Sequence, residues 1–205
     1  MPDREQVYRK FAPITAFFNQ VRSRTCNIKA MEDLRYPIGK FKPQDTYSPE
    51  EIKTNIQVIS AIPSKFVNLL SDWRDHQLDT PYRPEGWTVR QLVHHVADSH
   101  INAYCRFRLA LTEENPTIKP YRESLWATLP DAESAPVELS LQLLKFVHYR
   151  WVLLLNSLGE PELGRTFFNP GTQKTTRLDT AIALYAWHGE HHYQHACQLA
   201  LRKGW

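Results

Sequence analysis

Apolar residues recur at helical spacing in four stretches of the chain, and each stretch carries its own start or stop signal. The first runs through Ile52, Ile56, Ile59, Phe66, Leu70 and Trp73, successive members standing three, four or seven apart. Ser48-Pro49-Glu50-Glu51 precedes it: an N-cap serine, a proline at the first helical position and a glutamate at N3, together a capping box. Pro63 inside this stretch predicts a kink. Thr88 with Gln91 forms a second capping box and opens a helix from Val89 to about Leu111. A third helix spans Pro136 to about Leu158, apolar at Leu139, Leu143, Phe146, Val147, Trp151 and Leu154, and stops at Gly159. The fourth begins near Thr176, with Asp179 at N3, and ends at Arg202-Lys203-Gly204, a basic last turn followed by a glycine.

The segments between these helices read as loops. Leu34 to Pro43 is an extended lead-in punctuated by prolines and a glycine, and Pro81 to Gly86 is a loop. Thr112 to Ala135 is a long connection that includes Tyr121, Trp126 and a short helix between them. Connections of that length inside a compact domain are usually functional, or cross between helices that are not neighbours. Thr166 to Thr176 forms another loop, with a brief strand pair around Asn169-Pro170-Gly171. Four amphipathic helices with one long crossover loop predict an all-α four-helix bundle.

Composition narrows the class. At 205 residues, 42% hydrophobic and 12% aromatic, the chain holds one domain with a full core, and disorder is excluded as its main state. No stretch approaches the roughly 20 apolar residues of a membrane span. The net charge of +3 is scattered instead of gathered on one face, which argues against a nucleic-acid partner. Seven glycines form no phosphate-cradling loop. Cys26, Cys105 and Cys197 are odd in number and far apart; this argues against a disulfide framework and fits a reducing cytoplasm. Residues 1–33 show neither an apolar signal region nor a small-residue cleavage site. Met31 offers an alternative translation start, so residues 1–30 read as an N-terminal extension with little structure or a misassigned start, and 31–205 as the bundle domain.

Most of the nine histidines fall in two short clusters. In the fourth helix His188 and His192 lie one turn apart, about 40° around the axis. They share a stripe with Ala181, Leu184, His195 and Leu199, so they occupy an otherwise apolar, core-facing line. A buried imidazole costs a few kcal/mol unless its nitrogens are bonded. One divalent cation satisfies two at once, and H-x-x-x-H is the spacing at which a single helix offers two ligands. The second helix carries His94-His95-Val96-Ala97-Asp98-Ser99-His100. Its stripe through Thr88, Gln91, Leu92, His95, Ser99, Asn102 and Arg106 is polar, which suggests a wet cavity within the bundle. His94 and Asp98 are placed to pair with each other, or Asp98 to orient a ligand. Three neutral imidazoles would leave a divalent ion with an open position, a catalytic type of site. The H-E-x-x-H protease pattern does not fit, because Gly189 stands where it needs glutamate. Glu190 falls about 200° around the axis from His188 and should point away.

Taken together, Tyr36-Pro-Ile-Gly39, Asp79-Thr-Pro-Tyr-Arg83, Gly86-Trp-Thr-Val-Arg-Gln91, His94-His-Val-Ala-Asp-Ser-His100, Thr112-Glu-Glu-Asn-Pro116 and Trp187-His188…His192 resemble the YfiT-type proteins of the DinB-like superfamily. The similarity extends from about Met31 to Trp205. It implies a DinB-like four-helix bundle that forms a homodimer, with one zinc or nickel ion per subunit held by His95, His188 and His192. The resemblance also implies a metal-dependent hydrolase. Some members are similar to transferases that join a low-molecular-weight thiol of the bacillithiol type to electrophiles.

Two enzymatic readings therefore share one site. A hydrolase would use metal-activated water on a small-molecule substrate; a thiol S-transferase would use a metal-bound thiolate. No obvious carboxylate base lies on the ligand stripes, which leans toward thiolate attack. Arg90, Arg106, His195, Tyr121 and Trp126 are the candidates for holding the substrate. A third reading is a non-catalytic metal-binding module, which a closing fourth ligand such as His191 or His195 would favour. His191 lies about 60° off the ligand stripe and is not expected to ligate.

Overall fold

The computed structural model describes residues 34–205; the expectations for residues 1–30, for a start at Met31 and for Cys26 lie outside the described residues. Four long helices dominate: α1 (Pro49–Leu70), α3 (Val89–Thr112), α6 (Val137–Leu155) and α8 (Leu178–Lys203). Short helices α2 (Asp75–Leu78), α4 (Glu123–Trp126), α5 (Pro130–Ser134) and α7 (Glu160–Leu163) decorate the connections. Strands β1 (Thr166–Asn169) and β2 (Lys174–Arg177) make the small antiparallel pair anticipated around Asn169.

Local chemistry sets the helix ends. Ser48 Oγ accepts from the Glu51 N–H at 3.2 Å, and the Glu51 carboxylate accepts from the Ser48 N–H at 2.8 Å. Thr88 and Gln91 repeat that exchange at the start of α3. Helix α8 stops where Gly204 turns left-handed at φ 69°, a conformation that favours glycine. Pro63 does not end α1, which continues through it to Leu70.

Helix α1 packs against α8 and α6, and α3 packs against the same two, so α1 faces α3 across the bundle and α6 faces α8. The long Thr112–Ala135 connection therefore joins neighbours. The diagonal steps are made by the stretches 71–88 and 156–177.

Two apolar cores fill the interior. One gathers Ile52, Ile56, Ile59, Phe107, Trp151, Leu155 and Ile182; the other gathers Ile62, Phe66, Leu92, Val93, Leu144 and Leu199. Along α6 and α8 the buried histidines sit between these two groups, as does His100 on α3. The bundle thus has apolar ends and an imidazole-rich waist.

Helix α6 departs from the expectation. Leu139, Leu143 and Phe146 are exposed, and the face turned inward is Val137, Leu141, Leu144, His148, Trp151 and Leu155. Two apolar stripes run along this helix, and the one that faces the core is interrupted by a histidine. Spacing alone favours the uninterrupted stripe. It cannot register that His148 has buried partners.

Candidate metal centre

Helices α3 and α8 bring His95, His188 and His192 together. One ring nitrogen of each lies within 4.8 Å of one from each of the others. Ring centroids are 5.5 Å apart for His95 and His188, 4.8 Å for His95 and His192, and 4.4 Å for His188 and His192. The last separation follows from one helical turn on α8. His95 reaches the other two because α3 and α8 are packed neighbours.

All three rings are poor in protons. Burial holds His188 and His192 well below the usual imidazole range, and it brings His95 down to about 4. Neighbouring imidazoles push His188 and His192 the same way, because two positive rings this close repel. At neutral pH each offers a lone pair. Among the described residues no hydrogen bond reaches His95 or His192, and His192 Nδ1 is fully buried without a partner. Neutral nitrogens converging on one point, with unmet bonding capacity, are a donor set that fits a divalent cation. No fourth histidine, cysteine or carboxylate among the described residues joins this group. The feature that would have favoured a closed, non-catalytic centre is therefore missing from it.

His188 has a partner behind it. Its Nδ1 lies 3.1 Å from His100 Nε2, His100 Nδ1 lies 2.7 Å from His148 Nε2, and His148 Nδ1 lies 2.7 Å from the Ile59 carbonyl oxygen. Sequence reasoning misses His148. Its one signal there, a lone histidine in an apolar helix, does not say where it points. Gly189 is explained by the same region: a Cβ at that position would stand 2.8 Å from Ile62 Cγ1 and 3.3 Å from His100 Cε1. The residue that breaks the protease pattern lets α8 approach α1.

A second group adjoins the first. His191, His192 and His195 also bring one nitrogen each within 4.8 Å, all from α8. Here His191 and His195 already bond each other, Nε2 to Nε2, at 3.0 Å. His191 is buried, stacked on Trp187 at 4.6 Å, with Tyr36 beyond it. His195 packs on Tyr82 at 4.2 Å.

The remaining candidates divide. Arg106 donates to the Tyr185 hydroxyl at 2.8 Å, Tyr185 packs against His188, and the Arg106 charge is among the causes that depress His188. Tyr121 bonds Ser99, one turn beyond His95, and burial pushes its hydroxyl up to about 12. Trp126 packs against Tyr121 in a tilted arrangement at 4.6 Å and is exposed. Arg90 is committed elsewhere: its guanidinium binds Asp79 at 2.6 Å, Asp75 at 2.7 Å and the Ala135 carbonyl at 3.1 Å, so it clamps α3 to the adjoining loops instead of waiting for a substrate. His94 does not pair with Asp98. It bonds Ser140 and the Ala135 carbonyl, and the partner anticipated for a ligand from Asp98 is supplied by His100 instead. Glu190, as expected, is turned away, held by Lys65 and Gln194.

Comparison with known proteins identifies the family. The pattern of the DinB superfamily matches residues 59–196, a span that contains every histidine of the waist. A Bacillus cereus (strain AH820) protein named "Putative metal-dependent hydrolase" is 53% identical over 175 residues, 85% of this chain and all of that protein. A Bacillus anthracis (strain A0248) protein of the same name matches equally well. Among solved structures, YfiT from Bacillus subtilis, described as "a probable metal-dependent hydrolase with an unusual four-helix bundle topology", superposes with a TM-score of 0.82 at 46% identity. That match covers 84% of this chain and 98% of that one.

Proposed function

The chain belongs to the DinB superfamily, and on that footing we propose that it is a metal-dependent hydrolase whose divalent ion, zinc or nickel, is held by His95, His188 and His192. The observation that carries this reading is the convergence of three proton-poor imidazoles from two helices, with no fourth donor within reach of all three among the described residues. When bound, such an ion supplies Lewis acidity and lowers the pKa of water at its open position to about 7. The chain's own residues do the rest. The two apolar cores on either side of the waist restrict bulk water. On the proposal, Arg106 and Tyr121 line the approach to His188 and orient a small polar substrate, with His195 and Trp126 bounding the cleft.

A second reading shares the site, and one observation favours it: no carboxylate among the described residues joins the histidine group to act as a general base. A low-molecular-weight thiol bound as thiolate needs less help from a base, so an S-transferase acting on electrophiles fits the same residues. The two separate in one assay on the zinc- or nickel-loaded protein. Cleavage of an ester or amide without thiol supports hydrolysis. Consumption of an epoxide only when thiol is added supports transfer. No turnover in either, with metal content at one per chain, overturns both and leaves a binding module.

We also propose that the chain pairs with a second copy through α6. Its outward stripe of Leu139, Leu143, Phe146 and Leu153 is 44–64% exposed, and a two-fold axis would set it against itself. Phe146→Glu should convert a dimer into a monomer by sedimentation, while a wild-type monomer would remove the proposal. No helix among the described residues is long and apolar enough to cross a membrane.

A further inference from the structure

Helix α1 contains a proline where a helix interior least tolerates one, and the consequence can be followed residue by residue to the metal centre. The backbone N–H of residue 63 would ordinarily donate to the carbonyl of residue 59, four positions back. Pro63 has no N–H, so the Ile59 carbonyl loses its helical donor deep in the core, where Ile59 is wholly buried. His148 Nδ1 takes the place of that donor at 2.7 Å, from across the α1–α6 contact. His100 from α3 and then His188 from α8 continue the chain. One hydrogen-bonded file thus touches all four long helices.

The chemistry of the file fixes its protons. A carbonyl oxygen only accepts, so His148 must carry its proton on Nδ1, and the Nε2 of the neutral ring is a lone pair. His100 must then donate from Nδ1, which leaves its own Nε2 as an acceptor. His188 in turn must donate from Nδ1, and its remaining lone pair sits on Nε2, the nitrogen free to ligate. We propose that Pro63, His148 and His100 form a tautomer lock: positioning residues that hold His188 in the one neutral form able to bind a cation through Nε2, and that hold the ring plane against rotation. The file ends at the carbonyl of the wholly buried Ile59, which only accepts, so it orients a ligand and does not relay a proton onward.

Partners of this kind behind a ligating histidine typically carry 10- to 100-fold in metal affinity. The proposal rests on the reading of His188 as a ligand, and the test keeps the two apart. In metal-free protein carrying ¹⁵N-labelled histidines, long-range ¹H–¹⁵N correlation should show His148, His100 and His188 all protonated on Nδ1. A proton on Nε2 of His188 overturns the lock whether or not any metal binds. Cobalt(II) titration against a competing chelator then compares wild type, His148→Phe and His148→Gln. The phenylalanine variant should bind 10- to 100-fold more weakly, and glutamine, which keeps an acceptor facing His100, should recover part of the loss. Equal affinity in all three overturns the lock. Wild type that takes up no cobalt removes the metal reading and leaves the spectroscopic arm to decide. Should His148→Phe fail to fold, the glutamine variant and the tautomer spectrum still decide between lock and no lock.

Discussion

The two histidine groups on α8 share His192 and differ in almost everything else. The group of His95, His188 and His192 takes its members from two helices, keeps its inward nitrogens unbonded, and is backed by a file of imidazoles reaching α1. The group of His191, His192 and His195 comes from a single helix, and His191 and His195 already bond each other through Nε2, although His191 Nδ1, like His192 Nδ1, is buried without a partner among the described residues. Both crowd nitrogens into the same small radius. Proximity alone, then, does not mark a metal centre. What distinguishes the first group is convergence from two helices on nitrogens not already bonded to one another, with a hydrogen-bonded file holding His188 from behind.

The largest expected effect tests the first group. His188→Ala or His192→Ala should reduce bound zinc or nickel from about one per chain to near zero, measured by elemental analysis after gel filtration. Each removes one of the three proposed ligands, and two remaining imidazoles hold a divalent ion poorly. Retention of a full equivalent in both variants would dissolve the contrast between the groups.

The next effect concerns the file behind His188. Burial pushes His148 down to about 4, whereas in the unfolded chain it titrates near 6.5. Between those values the unfolded chain binds more protons than the folded one, so folding is favoured above pH 6.5 and loses stability as the pH falls through this window. The full difference at pH 4 is about 3 kcal/mol. His148→Phe lacks it. Denaturant unfolding of chelator-treated protein should therefore show wild type losing about that much more stability than the variant between pH 7 and pH 4. Parallel pH profiles would mean that His148 is not buried as a neutral ring.

A smaller effect comes from Gly189, which lies between the two groups in sequence and against the file in space. Gly189→Ala places a methyl 2.8 Å from Ile62 Cγ1 and 3.3 Å from His100 Cε1. Overpacking of this kind costs about 1–3 kcal/mol, offset by up to about 1 kcal/mol of better helix propensity. A net loss of about 1–2 kcal/mol is expected, accompanied by weaker cobalt binding as His100 is displaced. A stabilised variant with unchanged affinity would show that α8 has room to move away from α1.

How much of the molecule is legible in the sequence depends on the range of the interaction that decides each feature. The helix starts at Ser48 and Thr88 are legible because a capping box is written within four residues. His188 and His192 are legible as a pair because a helix fixes the angle between them. The face of α6 is misread because its inward stripe contains His148, whose partners stand 48 and 89 positions away along the chain. Pro63 is visible as an anomaly. That its cost is met by a histidine from another helix is a tertiary fact. Arg90 looks available for a substrate because nothing local shows Asp75 and Asp79 folding back onto it.

The smallest expected effect is the one that tests the second group. His191 and His195 are buried on the same helix as the proposed ligands and lie within bonding distance of each other, so by crowding alone either should matter as much as His188. Bonding capacity points the other way. A nitrogen that already donates to or accepts from its neighbour has little to gain from a cation, and a cation seated there would have to break that bond before it could be ligated. His191→Ala and His195→Phe should therefore leave metal content at one per chain and cobalt affinity within a few-fold of wild type. Any change should come through His192, whose ring packs 5.1 Å from His191 and 5.8 Å from His195. Elemental analysis and the same chelator competition decide it. A loss comparable to that of His188→Ala in either variant would place the ion on the single-helix group. A second equivalent of metal in wild type, lost selectively in these two variants, would make His192 a ligand shared between two ions.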